Sequence, residues 1–196
     1  NLDGAGLEAT LAEASIALST PVLLESLITP LLLKIGEGWR RGSLRVAHEH
    51  MTTGVVRSLL GNLRKSGSVP STAPELVVAA PAGQRHELGA LMVAVAAASD
   101  GWKVTYLGAD LPATDIADAA LKRNARAVAL SIVHPADDPG QPGEIELLGS
   151  ALAEGTVLLA GGSGAGAYSV SLAAAGGRIV YDLPSLRDEQ QGLRAP

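Results

Sequence analysis

The segment Leu76-Val77-Val78-Ala79-Ala80-Pro81-Ala82-Gly83-Gln84-Arg85-His86-Glu87-Leu88-Gly89 reads as a strand, a tight loop and the start of a helix. Residues 76–80 form an unbroken apolar run, the pattern of a strand covered on both faces. Gly83 supplies a turn, Gly89 allows close approach, and His86 sits on the loop between them. The same rhythm returns downstream. Strands are predicted at 76–80, 103–107, 127–133, 156–160 and 178–181, with Ala-rich helical stretches between them. That alternation predicts a parallel five-stranded sheet with helices on both faces, whose ligands bind at the carboxyl ends of the strands.

Residues 5–66 have a different character. Leu7, Leu11, Ala14, Ile16 and Leu18 keep a loose helical period, and Ser19-Thr20-Pro21 reads as a helix start with proline at its first position. Leu23, Leu27, Ile28, Leu31, Leu32 and Ile35 continue the apolar stripe to a break at Gly42-Ser43, after which Val46 to Leu63 forms a last long helix. Short connections between such helices predict a small bundle. Three helices bury little by themselves, so a further helix is expected before Asn1. Ser66-Gly67-Ser68-Val69-Pro70-Ser71-Thr72-Ala73-Pro74 has linker composition. The expected organisation is a bundle at 1–66, a linker at 67–75 and a sheet domain at 76–196, an α + α/β chain.

Composition narrows the function. A net charge of −5 with no basic stripe argues against nucleic-acid binding by this segment. No apolar run approaches the ~20 residues that span a bilayer. The absence of cysteine excludes disulfides, thiolate metal sites and cysteine nucleophiles and fits a cytoplasmic protein. Aromatic residues make up 3%, without phenylalanine, which singles out the two tryptophans.

His86 stands where a loop side chain reaches a ligand above the sheet edge. A neutral imidazole coordinates a metal through one nitrogen and donates through the other, and Gln84 offers the nearest amide oxygen. By itself the segment also reads as an exposed loop histidine. Leu107-Gly108-Ala109-Asp110 closes the second strand, Ser131 and Val133 end the third, and Gly161-Gly162-Ser163-Gly164 follows the fourth. Small residues there leave room for a bulky group, and Ser131 is a donor to it. A dinucleotide fingerprint would place its glycines after the first strand, where this chain has histidine, so NAD is disfavoured.

These motifs resemble the cobalamin-binding module that pairs a helical bundle with a flavodoxin-like domain. Its Asp-x-His-x-x-Gly, Ser-x-Leu and Gly-Gly signature is matched by Gln84/His86/Gly89, Ser131/Val133 and Gly161/Gly162. The resemblance implies base-off binding, with His86 as the lower cobalt ligand. The displaced tail would lie along Ser131 and the glycine loop, with Leu107, Gly108 and Gly164 beside it.

Within that module the chain is similar to CarH-type light-dependent regulators. Trp39, Val46 and the pair Glu49-His50 match the residues that enclose the upper 5′-deoxyadenosyl group there, and residues 35–42 and 82–89 look like theirs. The resemblance implies a photoreceptor rather than an enzyme, binding adenosylcobalamin and changing its self-association, as dimer or tetramer, on illumination. Read singly, Trp39 is a bundle-core anchor and Glu49-His50 a solvated helix face. Three departures stand out. Gln84 replaces the usual acid, Arg40 replaces the histidine that takes the upper cobalt position after photolysis, and no winged-helix DNA-binding domain is among these residues. That domain is expected upstream, or the chain is a stand-alone sensor. His50, His134 or water would then supply the upper ligand. Arg40 also fits the related photocobilins, which carry a non-covalent bilin such as biliverdin beside cobalamin. A corrinoid methyl-carrier subunit shares both domains and the lower histidine, but a methyl group needs no adenosyl-sized cap. A domain that has lost its cofactor is the remaining alternative. Asp137-Asp138 and Glu144/Glu146 have metal-like composition in an exposed-loop context, and 187–191 reads as a frayed last helix.

Overall fold

The computed structural model describes residues 2–65 and 69–194, and the chain divides into two compact units, 1–67 and 68–196. The Ser66-Gly67-Ser68 part of the expected linker lies outside the described residues.

In the first unit, α1 (Gly4–Ala17) begins at Asp3, whose Oδ1 accepts from Gly6 N at 2.8 Å. Three segments then run on without a break: α2 (Thr20–Val22), a π-helical stretch (Leu23–Ile28) and α3 (Thr29–Arg40). Pro30 explains the widened turn. It has no N–H for the carbonyl of Ser26, and just ahead of it Thr29 N reaches back five residues to Leu24 O. Helix α4 (Val46–Lys65) packs against α1 and α3. The core of this unit is Leu11, Leu23, Leu24, Ile28, Val56 and Leu60. The stripe drawn through Ile16 is wrong, since that side chain is 88% exposed. Five residues past Leu11 is roughly 140° round the helix, on the opposite face.

The second unit alternates β1 (Glu75–Pro81), α5 (Leu88–Ser99), β2 (Lys103–Leu111), α6 (Ala113–Lys122), β3 (Ala127–Ser131), α7 (Gln141–Ala151), β4 (Val157–Gly161), α8 (Ser169–Ala174), β5 (Arg178–Val180) and α9 (Leu183–Gly192). All pairings are parallel, in the order β2-β1-β3-β4-β5. The five-stranded parallel sheet expected from the strand runs is therefore present. Val77 and Ala79 face a core shared with α6, α7 and α8, while Leu76 and Val78 face α5, Trp102 and Leu186 of α9. Burial on both faces is why β1 reads as a continuous apolar run. The strand order reverses between β1 and β3, which opens a crevice at their carboxyl ends.

Among the boundaries that differ from the sequence reading, three have a cause visible in the hydrogen bonds. Glu75 belongs to β1 rather than the linker: its buried carboxylate accepts from Thr105 Oγ1 (2.6 Å) and Arg123 Nε (3.3 Å), and its carbonyl accepts from Arg126 N. Strand β3 ends at Ser131, because Val133 N and His134 N turn away to bond a side chain. The last helix is not frayed from 187. It starts at Leu183 behind a capping box, with Asp182 Oδ1 accepting from Ser185 N (2.8 Å) and Ser185 Oγ from Asp182 N (3.1 Å).

Candidate functional site

Gln84 organises the crevice. Its side chain is wholly buried, and its Oε1 accepts from Val133 N (2.8 Å) and His134 N (2.9 Å). Its Nε2 donates to Pro135 O at 2.8 Å. The backbone of the same residue donates to Pro81 O and accepts from Asp110 N. Asp110 sits at φ 61°, and its Oδ1 accepts from Gly83 N at 2.8 Å. One residue therefore ties the β1–α5 loop to the ends of both neighbouring strands. The expectation that Gln84 would accept from His86 fails, because both acceptor positions of its amide oxygen are occupied.

His86 projects from this pinned loop with its side chain exposed, and it makes no hydrogen bond among the described residues. Its ring lies 5.8 Å from that of His134, edge to face at 80°. Gly89 is required at the start of α5, where a Cβ would stand 2.5 Å from Ser131 Oγ. Its absence lets the first turn of α5 approach the end of β3.

The glycine loop after β4 is backbone packed on backbone. At Gly162, φ is +99° and a Cβ would lie 2.4 Å from Ile132 O, and at Gly164 it would lie 3.0 Å from Val133 O. Gly164 N donates to Ile132 O. Gly161 faces Val180 O of β5, so its missing side chain serves the sheet, whereas Gly166 and Gly108 face open space. Leu107 is the extra residue of a bulge between the pairs Val78–Tyr106 and Ala79–Gly108, and it packs on the core rather than standing free. Tyr168 is a residue that sequence reasoning missed. Its buried hydroxyl accepts from Asp138 N at 2.9 Å and steadies the loop after β3. The acidic residues nearby are structural. Glu144 Oε2 accepts from Ala113 N at the start of α6, and Asp138 Oδ1 accepts from Gly140 N. Among the described residues no cluster of three metal-ligating side chains occurs.

In the first unit, the turn between α3 and α4 closes on one carbonyl. Gly38 O accepts from Ser43 N, Leu44 N and Ser43 Oγ, with Gly42 at φ +69°. Leu44 folds so close to Gly38 that a Cβ there would meet it at 2.7 Å. This brackets the turn with Trp39 at one end and Val46 at the other, 53% and 56% exposed. Trp39 is therefore not a core anchor. Glu49 is half-buried and its Oε2 lies 3.5 Å from His50 Nε2, while Thr53 Oγ1 donates to Glu49 O (2.9 Å). Arg40 is exposed beside Trp39 and makes no ion pair among the described residues. His48, one turn into α4, carries a buried Nδ1 without a partner, and nothing in its sequence context marked it.

A family described as the B12 binding domain matches residues 74–181, more than half of the chain, and a second family of the same description matches residues 1–64. The chain belongs to the B12-binding domain family. It is 30% identical over 132 residues to the HTH-type transcriptional repressor CarA of Myxococcus xanthus, covering 67% of this chain and 44% of that protein. To the repressor CarH of the same organism it is 30% identical over 155 residues, covering 79% and 52%. This chain thus spans about half the length of those relatives. It is also 31% identical over 120 residues to dimethylamine corrinoid protein 3 of Methanosarcina mazei, covering 59% and 71%. Among solved structures, the monomethylamine corrinoid protein of Methanosarcina barkeri superposes with a TM-score of 0.72 over 98% of this chain and 93% of that one, at 15% identity. The fold of this chain is that of the monomethylamine corrinoid protein, and its sequence is similar to CarA and CarH and to a dimethylamine corrinoid protein alike.

The residues at the sheet edge fit a corrinoid. An exposed imidazole that makes no hydrogen bond among the described residues is available for cobalt, and Gly108 of β2 and Gly166 after β4 leave open space where a side chain would stand. No thiol competes for the metal.

Proposed function

We propose that this chain is a cobalamin-dependent light sensor that binds adenosylcobalamin base-off, with His86 as the lower cobalt ligand. One observation carries the reading: an unengaged, exposed imidazole stands on a loop pinned from both sides at the point where the strand order reverses. When bound, adenosylcobalamin supplies a cobalt–carbon bond that green light breaks. His86 would offer a ring nitrogen to the cobalt, and Ser131 and the Gly162–Gly164 loop would border the displaced nucleotide tail. Trp39 would offer a flat apolar wall to the adenosyl group, with Val46 beside it, Glu49 able to accept from ribose hydroxyls and His50 completing the cap. Without the adenosyl group those four residues would lack their shared partner, and self-association would change. Likeness to two transcriptional repressors supports a regulatory output. Among the described residues no helix is long and apolar enough to cross a membrane.

The test is the absorption spectrum of the protein loaded with adenosylcobalamin in the dark, before and after green light. A bound alkylcobalamin that converts to a stable protein-bound cob(III)alamin supports the reading. A bound but light-indifferent cofactor contradicts it and brings forward a methyl carrier, the reading favoured by likeness to the dimethylamine corrinoid protein. An additional long-wavelength band would mark a bilin held beside cobalamin.

A further inference from the structure

A histidine that binds a metal through one nitrogen ordinarily has its ring held by a partner at the other. The amide of Gln84, two residues earlier, is already committed to Val133, His134 and Pro135. What lies against the His86 ring instead is the ring of His134, with centroids 5.8 Å apart and planes at 80°. That is within the range of edge-to-face ring contacts. Both side chains are exposed, so neither is placed by core packing. They are placed by Gln84, which bonds the backbone N–H of His134 while its own backbone holds the loop that carries His86. We infer that His134 is the positioning residue for His86, its ring limiting the rotation of the His86 imidazole, with Gln84 fixing the distance between their two loops. This rests on the proposed role of His86 as a cobalt ligand. It also assigns a use to the Gln84 departure: the side chain acts on the ligand through a second imidazole rather than by a direct hydrogen bond.

The experiment compares wild type, His134→Ala and His134→Phe by two measurements. The first is the position of the His86 ring proton resonances in the cofactor-free protein. The second is the affinity for adenosylcobalamin in the dark, with the His-on fraction read from the spectrum. His134→Ala is expected to move the His86 resonances and weaken binding about tenfold, the low end for losing a residue that orients a metal ligand. His134→Phe, which keeps an aromatic ring, is expected to restore most of the affinity and His-on fraction. Unmoved resonances in His134→Ala overturn the pairing. Moved resonances with unchanged affinity and His-on fraction overturn the positioning role, as does a Phe variant no better than Ala. If wild type takes up no cobalamin, the functional reading fails, and the resonances alone still decide whether the two rings are paired.

Discussion

The two tryptophans of this chain lead opposite lives. Trp102, between α5 and β2, is wholly buried against β1 and α5, while Trp39, at the end of α3, is 53% exposed. The difference extends to the units around them. The sheet unit packs both faces of its strands and fixes its loops by hydrogen bonds to Gln84, Asp110 and Tyr168, so the edge that carries His86 is built into the fold. The helical unit has a small core and leaves Trp39, Val46 and Leu33 on its surface. Both units expose some large apolar side chains, Val170 and Tyr181 among them in the sheet unit, but only the helical unit leaves a tryptophan there. An exposed tryptophan contributes little to folding, which leaves Trp39 available for the proposed cap.

The contrast can be broken at several points. His86→Ala should cost the largest effect, weakening cobalamin binding by more than ~100-fold, beyond the range for losing a supporting residue, with little change in Tm because the side chain is exposed. Gly162→Ala should destabilise the sheet unit by about 3 kcal/mol, since it combines a positive φ with a clash against Ile132 O. Gly166→Ala, at an open position, should change stability by less than ~0.5 kcal/mol. Thermal unfolding of the pair checks whether the glycine loop is held by its backbone contacts. Gln84→Ala removes the acceptor of two part-buried N–H groups and empties a wholly buried position, and should cost about 2 kcal/mol, read by denaturant unfolding together with a loss of His86–His134 contact.

Trp39→Ala sharpens the other side of the comparison. It should leave unfolding nearly unchanged while weakening the dark assembly, measured by size-exclusion chromatography with cobalamin bound. A large loss of stability would show the indole to be part of the bundle core after all. The smallest effect is expected at Asp182. Its carboxyl is held below its usual value, first by the backbone N–H of Ser185 and then by the Ser185 hydroxyl. A lowered folded-state value means that the cap stabilises α9 above the ordinary carboxylate range and loses this contribution as pH falls through the folded value. Asp182→Asn should therefore flatten the acid side of a Tm-against-pH curve slightly.

The sheet was legible because its strands are buried on both faces, which leaves apolar runs short enough to tell from helices. β2 was legible only to Leu107, because bulges carry it on to Leu111 through Gly108 and Asp110, residues that otherwise read as turn. In the helical unit, Ile16 looked like core because a loose period tolerates a residue on the wrong face. His86 was visible from its place after β1. Gln84 was visible as a position but misread in role, since its partners at 133–135 lie some fifty residues away and only the reversal of strand order brings them to it. His48 and Tyr168 carried no local signal, because burial of a single polar atom depends on packing that no short motif encodes.

The central claim is that His86, held on a loop fixed before any ligand arrives, is the lower ligand of a bound cobalamin. The most direct measurement is the dark absorption spectrum of adenosylcobalamin bound to wild type beside His86→Ala. The account predicts a base-off, His-on spectrum in wild type and its loss, with weakened binding, in the variant. Identical spectra at equal affinity would contradict it.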